Sequence, residues 1–229
     1  MPSPRVCVFD VNETLLDLRG LDPPFERVFG DAGVRHLWFS QLLQSALVST
    51  VLNAYTDFGS IGATVLTMIA TRRAVEPSDQ DRQDILGTMR QLPPHPDVRE
   101  GLERLQTAGL RLAALTNSTA EVAEAQITNA GLRDYFEQVL SADTVRRLKP
   151  ALEPYRMAAE RMAVEVGGVR LIAAHAWDVA GAMHAGCAAA FVARPGMVLD
   201  PLFEAPDVVG ADLMDVADTI VQRETLSTS

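Results

Sequence analysis

The chain has 229 residues, 48% hydrophobic, 22% charged and 6% aromatic, enough for one ordinary core plus a small second module, as in a soluble globular protein. Thirty acidic against twenty basic residues give a formal net charge of -10, with no extended basic stripe, which argues against nucleic acid and anionic membrane surfaces as partners. Cys7 and Cys187 lie in apolar runs without zinc-ligand or disulfide-framework spacing, and no run approaches the roughly 20 apolar residues of a membrane span or resembles a secretory signal, so a cytoplasmic location is expected.

The chain is expected to run from Met1–Arg5 straight into a buried strand over residues 6–11, a short apolar run rich in β-branched residues. From 18 to 92 only helical patterns follow. Leu42, Leu43, Ala46, Leu47, Thr50, Val51, Ala54, Tyr55 and Phe58 keep helical spacing, residues 61–70 form a second candidate, and Ser78 caps a third with Asp79, Asp81 and Asp84 near its start. Pro93, Pro94 and Pro96 close the segment. Beyond them strands are expected at 110–115, 139–140, 169–174 and 189–193, with a sixth candidate at 208–209. Helical patterns at 98–108, 120–130, 154–164 and 179–185 alternate with these strands, the first two ending at Gly109 and Gly131, where left-handed C-caps are expected. The tail from Thr225 reads as frayed. Alternation of strand and helix predicts an α/β fold with a parallel sheet, a core of residues 1–17 and 93–229. The helices of 18–92 form a cap domain over the strand ends, where such sheets bind ligands.

Four polar positions fall just after predicted strands. Asp10 ends the first apolar run, although aspartate is disfavoured in strands, and is read either as a carboxylate facing a cleft or as a turn residue. Thr116-Asn117-Ser118 sits on a strand-to-helix turn, as an anion cradle, a helix cap with Ser118 or Thr119, or both. Lys149-Pro150 offers a positive charge on a stiffened loop, or a solvated lysine. Asp178 stands near a helix start, where dipole capping is the alternative to chemistry. Their shared edge is the one on which an α/β sheet assembles a site.

In combination these residues resemble the haloacid dehalogenase superfamily. Asp10 to Asp17 matches its first motif DxxxTLxD, Thr116-Asn117 its second, Lys149-Pro150 its third and Asp178 its fourth. The resemblance covers essentially the whole chain and implies a Rossmann-like core with a helical cap. Superfamily phosphatases carry a second Asp two residues after the nucleophile, where this chain has Asn12, and a magnesium-binding Asp where it has Ala174. Asparagine cannot protonate a leaving alkoxide, whereas a halide leaves as the free anion, so magnesium and other cofactors are expected to be dispensable. The Ala-Trp-Asp-x-x-Gly-Ala run of residues 176–182, together with Tyr155, is similar to the L-2-haloacid dehalogenases (type II).

That resemblance implies hydrolysis of short 2-haloalkanoic acids to 2-hydroxy acids. Asp10 would attack the halogen-bearing carbon from the rear, and water would cleave the resulting ester. Thr14 and Lys149 would orient and stabilise the Asp10 carboxylate, Thr116 and Asn117 would hold the substrate carboxylate with Asn12 among the substrate-binding residues, Asp178 would position or activate the hydrolytic water, and Tyr155 would support Lys149 or Asp178. Trp177 would line the pocket, with ordinary packing as its alternative. The family's halide-receiving cap arginine aligns with Phe39, so the edges of Trp38 or Phe39 together with Gln41 are candidates for a neutral halide pocket. His175 stands where an asparagine is expected; it would activate water, receive the halide, or serve only as a structural histidine. A homodimer is also implied. A phosphatase-like hydrolase and a non-catalytic carboxylate-binding relative are the competing readings.

Overall fold

The computed structural model describes residues 6–226, so the run-in at Met1–Arg5 and the tail beyond 226 lie outside the described residues. Among the described residues the elements run β1 (Val6–Phe9), α1 (Asp22–Phe29), α2 (Val34–Val51), α3 (Phe58–Arg72), α4 (Asp79–Thr88), α5 (Val98–Thr107), β2 (Arg111–Thr116) and α6 (Ala120–Asn129). They continue with β3 (Gln138–Ser141), α7 (Leu152–Arg161), β4 (Val169–Ala173), α8 (Ala176–Ala185), β5 (Ala188–Val192), β6 (Val208–Gly210) and α9 (Leu213–Leu226). The expected fraying from Thr225 is corrected at its start, because α9 continues to Leu226.

The strands form one parallel six-stranded sheet in the order β3-β2-β1-β4-β5-β6. The fold is α/β. Strand order reverses beside β1, which pairs with β2 on one side and β4 on the other, Val8 aligning with Ala113 and Leu171. That reversal opens a crevice beyond the carboxyl ends of β1 and β4. The two faces of β1 bury different partners, as a period of two requires: Val6 and Val8 join the cluster containing Tyr155, Ala158 and Val179 of α7 and α8. Cys7 and Phe9 join the cluster shared by α5, α9 and the helices of 18–92. Each fully buried Leu or Phe contributes roughly 1.5–3 kcal/mol, so α1 to α4 are bound to the sheet by the same core that closes α5 and α9.

The helices between 18 and 92 depart from the sequence reading in two places. The predicted run through Phe58 is interrupted, because α2 stops at Val51, Asn53 takes a left-handed φ of 54°, and Asp57 starts α3 by accepting from the Ser60 N–H at 2.9 Å. Asn tolerates that backbone and Asp prefers the cap position, so local polar bonds win over continued apolar spacing. The other departure is α1, hidden in Asp22-Pro23-Pro24 because prolines, breakers inside a helix, are tolerated in its first turn. Ser78 does cap α4, in a reciprocal pair with Asp81. Gly109 and Gly131 take positive φ of 81° and 66° at the ends of α5 and α6.

The chain leaves for these helices and returns at one point. Leu16 and Pro94 form an antiparallel bridge, the Asp17 N–H donates to Pro93 O at 2.8 Å, and the His95 N–H donates to Leu15 O at 2.9 Å. A second tether joins the far end of α2 to the loop after β3. There the Tyr55 hydroxyl donates to Asp143, the Arg146 guanidinium lies 4.4 Å over the Tyr55 ring, and Arg147 Nη1 donates to Asn53 Oδ1 at 2.6 Å.

Candidate active site

Asp10 follows β1 directly, and its N–H still donates to Ile172 O of β4 at 3.0 Å, which fixes the carboxylate at the mouth of the crevice. The chain then turns tightly, Leu15 and Leu16 both donating to Val11 O. This turn brings Thr14 back beneath Asp10. The Thr14 hydroxyl donates to Asp10 Oδ2 at 2.7 Å and accepts from the Ala174 N–H at 2.9 Å, linking the ends of β1 and β4.

Lys149 reaches the other carboxylate oxygen. Its loop is held by Asn117, whose Oδ1 accepts from the Lys149 N–H at 2.7 Å and whose Nδ2 donates to the Lys149 carbonyl at 3.3 Å. The ammonium donates to Asp10 Oδ1 at 2.8 Å, Asp178 Oδ2 at 2.6 Å and Leu115 O at 2.9 Å, so all three donors are engaged. Tyr155, on α7, donates to Asp178 Oδ1 at 2.5 Å. Asp178 lies in the first turn of α8, completely buried.

Burial sets the charges of this cluster and the neighbours then modify them. Burial would raise the Asp10 pKa, but the Lys149 ammonium and the hydrogen-bonded His175 ring outweigh it and hold Asp10 well below the usual carboxylate range. Burial alone would lower the Lys149 pKa, and the two carboxylates push it above its ordinary value instead. Asp178 is raised, because burial and repulsion from Asp10 exceed the attraction of Lys149. Tyr155 is pushed well above its ordinary value by burial and then by Asp178, so it remains a phenol donor. The arrangement presents an ionised Asp10 whose countercharge is fixed behind it.

His175 closes the other side. Its Nδ1 is 3.2 Å from Asp10 Oδ2, while its buried Nε2 has no partner. The ring lies between Phe39, at 6.0 Å between centroids, and Trp177, at 5.3 Å. These rings border a cavity of about 310 Å³, whose wall also includes Glu13, Arg35, Ser40 and Leu43.

The structure therefore brings Asp10, Thr14, Lys149, Tyr155, His175 and Asp178 into one connected cluster, with Phe39 and Trp177 on the adjoining cavity. The other sequence candidates lie differently. Gln41 is turned outward, bonded to Gln44 at 2.8 Å and Arg72 at 3.2 Å. Trp38 donates from Nε1 to Gly62 O at 2.9 Å and faces a separate cavity of about 580 Å³ between α2, α3, α4 and the start of α6. A helix turns about 100° per residue, so Phe39 and its neighbours at 38 and 41 cannot share one face. Asn12 Oδ1 accepts from the buried Gln126 Nε2 at 2.9 Å, a bond that holds it to α6. Thr116 Oγ1 accepts from the Ser118 N–H at 3.2 Å, and the Asn117 amide is engaged on the Lys149 loop, leaving its side chain little capacity for a ligand. Neither Ser118 nor Thr119 caps α6 with its side chain.

Four residues escaped the sequence reading, one of them Glu13 on the cavity wall. Arg35 is buried on the cavity wall, one helical turn before Phe39, with Nη1 at 3.6 Å from Glu13 Oε1 and Nε donating to Asp22 Oδ1 at 2.5 Å. The i, i+4 spacing to Phe39 was its available signal. Arg194 donates to Thr14 O at 2.9 Å and to both Asp97 oxygens, at 2.8 and 2.7 Å, bracing the turn after Asp10. Gln126, completely buried on α6, also donates to Met89 O at 2.8 Å; nothing local in the sequence marks either residue. Among the described residues, no three His, Cys, Asp or Glu side chains are grouped to hold a metal ion.

Comparison with known proteins adds three likenesses to a family match. Residues 4–186 match the haloacid dehalogenase-like hydrolases. The chain is 29% identical over 192 residues to an (S)-2-haloacid dehalogenase of Xanthobacter autotrophicus, covering 83% of this chain and 75% of that protein. It is 26% identical over 223 residues to haloacetate dehalogenase H-2 of Moraxella sp. (strain B), covering 96% and 98%. The structure of the Xanthobacter autotrophicus L-2-haloacid dehalogenase with chloropropionic acid covalently bound superposes with a TM-score of 0.88 at 26% identity, covering 95% of this chain and 98% of that one.

Proposed function

Because the chain belongs to the haloacid dehalogenase-like hydrolase family, we propose that its Asp10 centre converts short 2-haloalkanoic acids to 2-hydroxy acids through an aspartyl ester. One observation carries the reading: Asp10 is buried yet held ionised by Lys149 at 2.8 Å, with Thr14 fixing its second oxygen, and His175, at 3.2 Å from that oxygen, forms part of the wall of a 310 Å³ cavity. A carboxylate freed of bulk water and aimed by fixed donors is an activated nucleophile.

In this mechanism the Asp10 carboxylate displaces the halide from C2. The negative charge of Asp10 passes to the departing halide, and Lys149 remains to balance Asp178. Water then adds to the acyl carbon of Asp10 as His175 takes one of its protons, the carbonyl oxygen that takes up charge is stabilised by Lys149 or Thr14, and collapse expels the alkoxide, which takes that proton to become the 2-hydroxy acid while the second water proton passes from Asp10 to solvent. Asp178 acts through Lys149 and Tyr155 to hold this framework. The Thr116 hydroxyl orients the substrate carboxylate, and Arg35 supplies the cation that the aligned position, Phe39, lacks. Helices of 18–92 serve as the cap that excludes solvent. Exposed Val48, Val51 and Leu52 on and after α2 support a homodimer, and no helix among the described residues is long and apolar enough to cross a membrane.

The test is halide release from bromo- and chloroacetate and both 2-chloropropionate enantiomers, with chelator present. The unaltered protein is expected to release halide and Asp10→Asn to lose more than about 1000-fold, since removal of a covalent nucleophile removes the pathway. Equal release by both proteins overturns the proposal. Magnesium-dependent phosphate release instead would favour the phosphatase reading, against which stands Asn12, a group unable to protonate a leaving alkoxide and bonded to Gln126.

A further inference from the structure

Glu13 is the unusual residue of the nucleophile turn. Its φ of 65° is left-handed backbone, a conformation sterically disfavoured for a residue bearing a long side chain. Two bonds hold it there: the Glu13 N–H donates to Leu16 O at 2.8 Å, and the Glu13 carbonyl faces His95 Nε2 at 3.0 Å. The outcome is a carboxyl group three residues after the nucleophile, on the wall of the same cavity as His175 and Arg35. Its side chain is 15% exposed, enough to exchange protons with water.

We propose that Glu13 is a catalytic acid that protonates the departing halide, suiting the site to fluorinated 2-haloacids. This rests on the dehalogenase reading above and adds to it a leaving group that needs a proton. Fluoride is the most basic of the halides and the poorest to leave as a free anion, so a positioned donor assists it far more than chloride or bromide. The surroundings suit the two states of Glu13. Burial raises its pKa, with Asp17 adding to the rise, against the opposing pull of His175, Arg35 and His36, so the carboxyl retains its proton above the usual range. After transfer, Arg35 Nη1 at 3.6 Å faces the new carboxylate, and the partnerless His175 Nε2 borders the same space.

The step balances. An Asp10 oxygen forms a bond to C2 as the C–F bond breaks, fluoride leaves with the electron pair, and it takes the Glu13 proton as hydrogen fluoride, leaving Glu13 ionised. Hydrolysis of the ester consumes one water, returns Asp10 as carboxylate, yields the hydroxy acid and liberates one proton, which restores Glu13. Hydrogen fluoride then dissociates in water.

The test compares fluoride release from fluoroacetate with chloride and bromide release from chloro- and bromoacetate, for the unaltered protein and Glu13→Gln. Glutamine keeps the size and backbone demands of Glu13 but has no acidic proton. Fluoroacetate turnover is expected to fall about 100-fold, chloroacetate less, and bromoacetate by under about tenfold, the loss tracking leaving-group basicity. Equal losses on all three substrates, or unchanged fluoride release, overturn the proposal. Bromide release without fluoride release by the unaltered protein overturns it and leaves the dehalogenase reading intact. No release of any halide overturns both.

Discussion

Lys149 shows how a single side chain organises this site. Isolated burial would strip an ammonium of its proton, yet here the cation lies between two carboxylates and a carbonyl, and removing any partner would leave a buried charge uncompensated. Asp10 and Asp178 were visible in the sequence because each falls just after an apolar run, whereas Thr14 and Tyr155 were reached only through the family resemblance. Glu13 was not visible, and Arg35 had only its i, i+4 spacing to Phe39 as a signal, since a charged residue on a turn or helix does not reveal its direction until the backbone is known. Glu13 also carries a stability signature. A carboxyl whose pKa is raised on folding binds its proton more tightly in the native state, so its contribution is full below its ordinary value of 4.5 and is lost as pH rises through the raised value. Glu13→Gln should therefore gain thermal stability on the unaltered protein as pH rises from 4 to 8. Melting temperatures across that range check it, and a gap that narrows with pH would contradict it.

At the scale of elements, the β/α alternation after Pro96 was legible because each helix and strand has its own period and punctuation, whereas α1 and the break between α2 and α3 depend on prolines and Asx caps that override apolar spacing. Packing between α7 and α8 was hidden for a related reason: it depends on one glycine. A Cβ on Gly181 would stand 2.5 Å from Pro150 Cβ and 2.8 Å from the Tyr155 hydroxyl, so α8 approaches the Lys149 loop only because no side chain intervenes. Gly181→Ala should destabilise the fold by about 1–3 kcal/mol through overpacking and also reduce halide release, since relief must move Pro150, Tyr155 or α8 and with them Asp178. Urea unfolding and turnover measured together check this; full activity with full stability would show that the contact relaxes without cost.

Over the whole molecule, the parallel sheet could be anticipated from the alternation of apolar runs and helical patterns, but its switch point, where β1 pairs with both β2 and β4, is a long-range fact that no local window contains. Global charge bears on how substrate arrives. The net charge of -10 repels a halocarboxylate at long range, whereas the wall of the cavity carries Arg35. Salt screens the first effect beyond about 8 Å at physiological ionic strength and leaves the buried contacts largely intact. Raising salt from about 20 to 200 mM should thus lower KM for chloroacetate by about twofold while leaving neutral chloroacetamide unaffected. Steady-state kinetics on the pair check it, and a rise in KM for chloroacetate would mean that local attraction governs approach.

The bridge between Leu16 and Pro94 has a consequence for the history of such a chain. A long insertion normally burdens its host through the entropy of closing the loop, yet that burden grows only with the logarithm of length, and here one rung of ladder fastens both ends. To the strand pairing, everything between those two residues has the footprint of a hairpin turn, yet Phe25, Trp38 and Leu66 share one buried cluster with Phe9 and Ile172. Positions that face outward along those helices can therefore diverge at the pace of a surface loop, while those that face the sheet change only together with it.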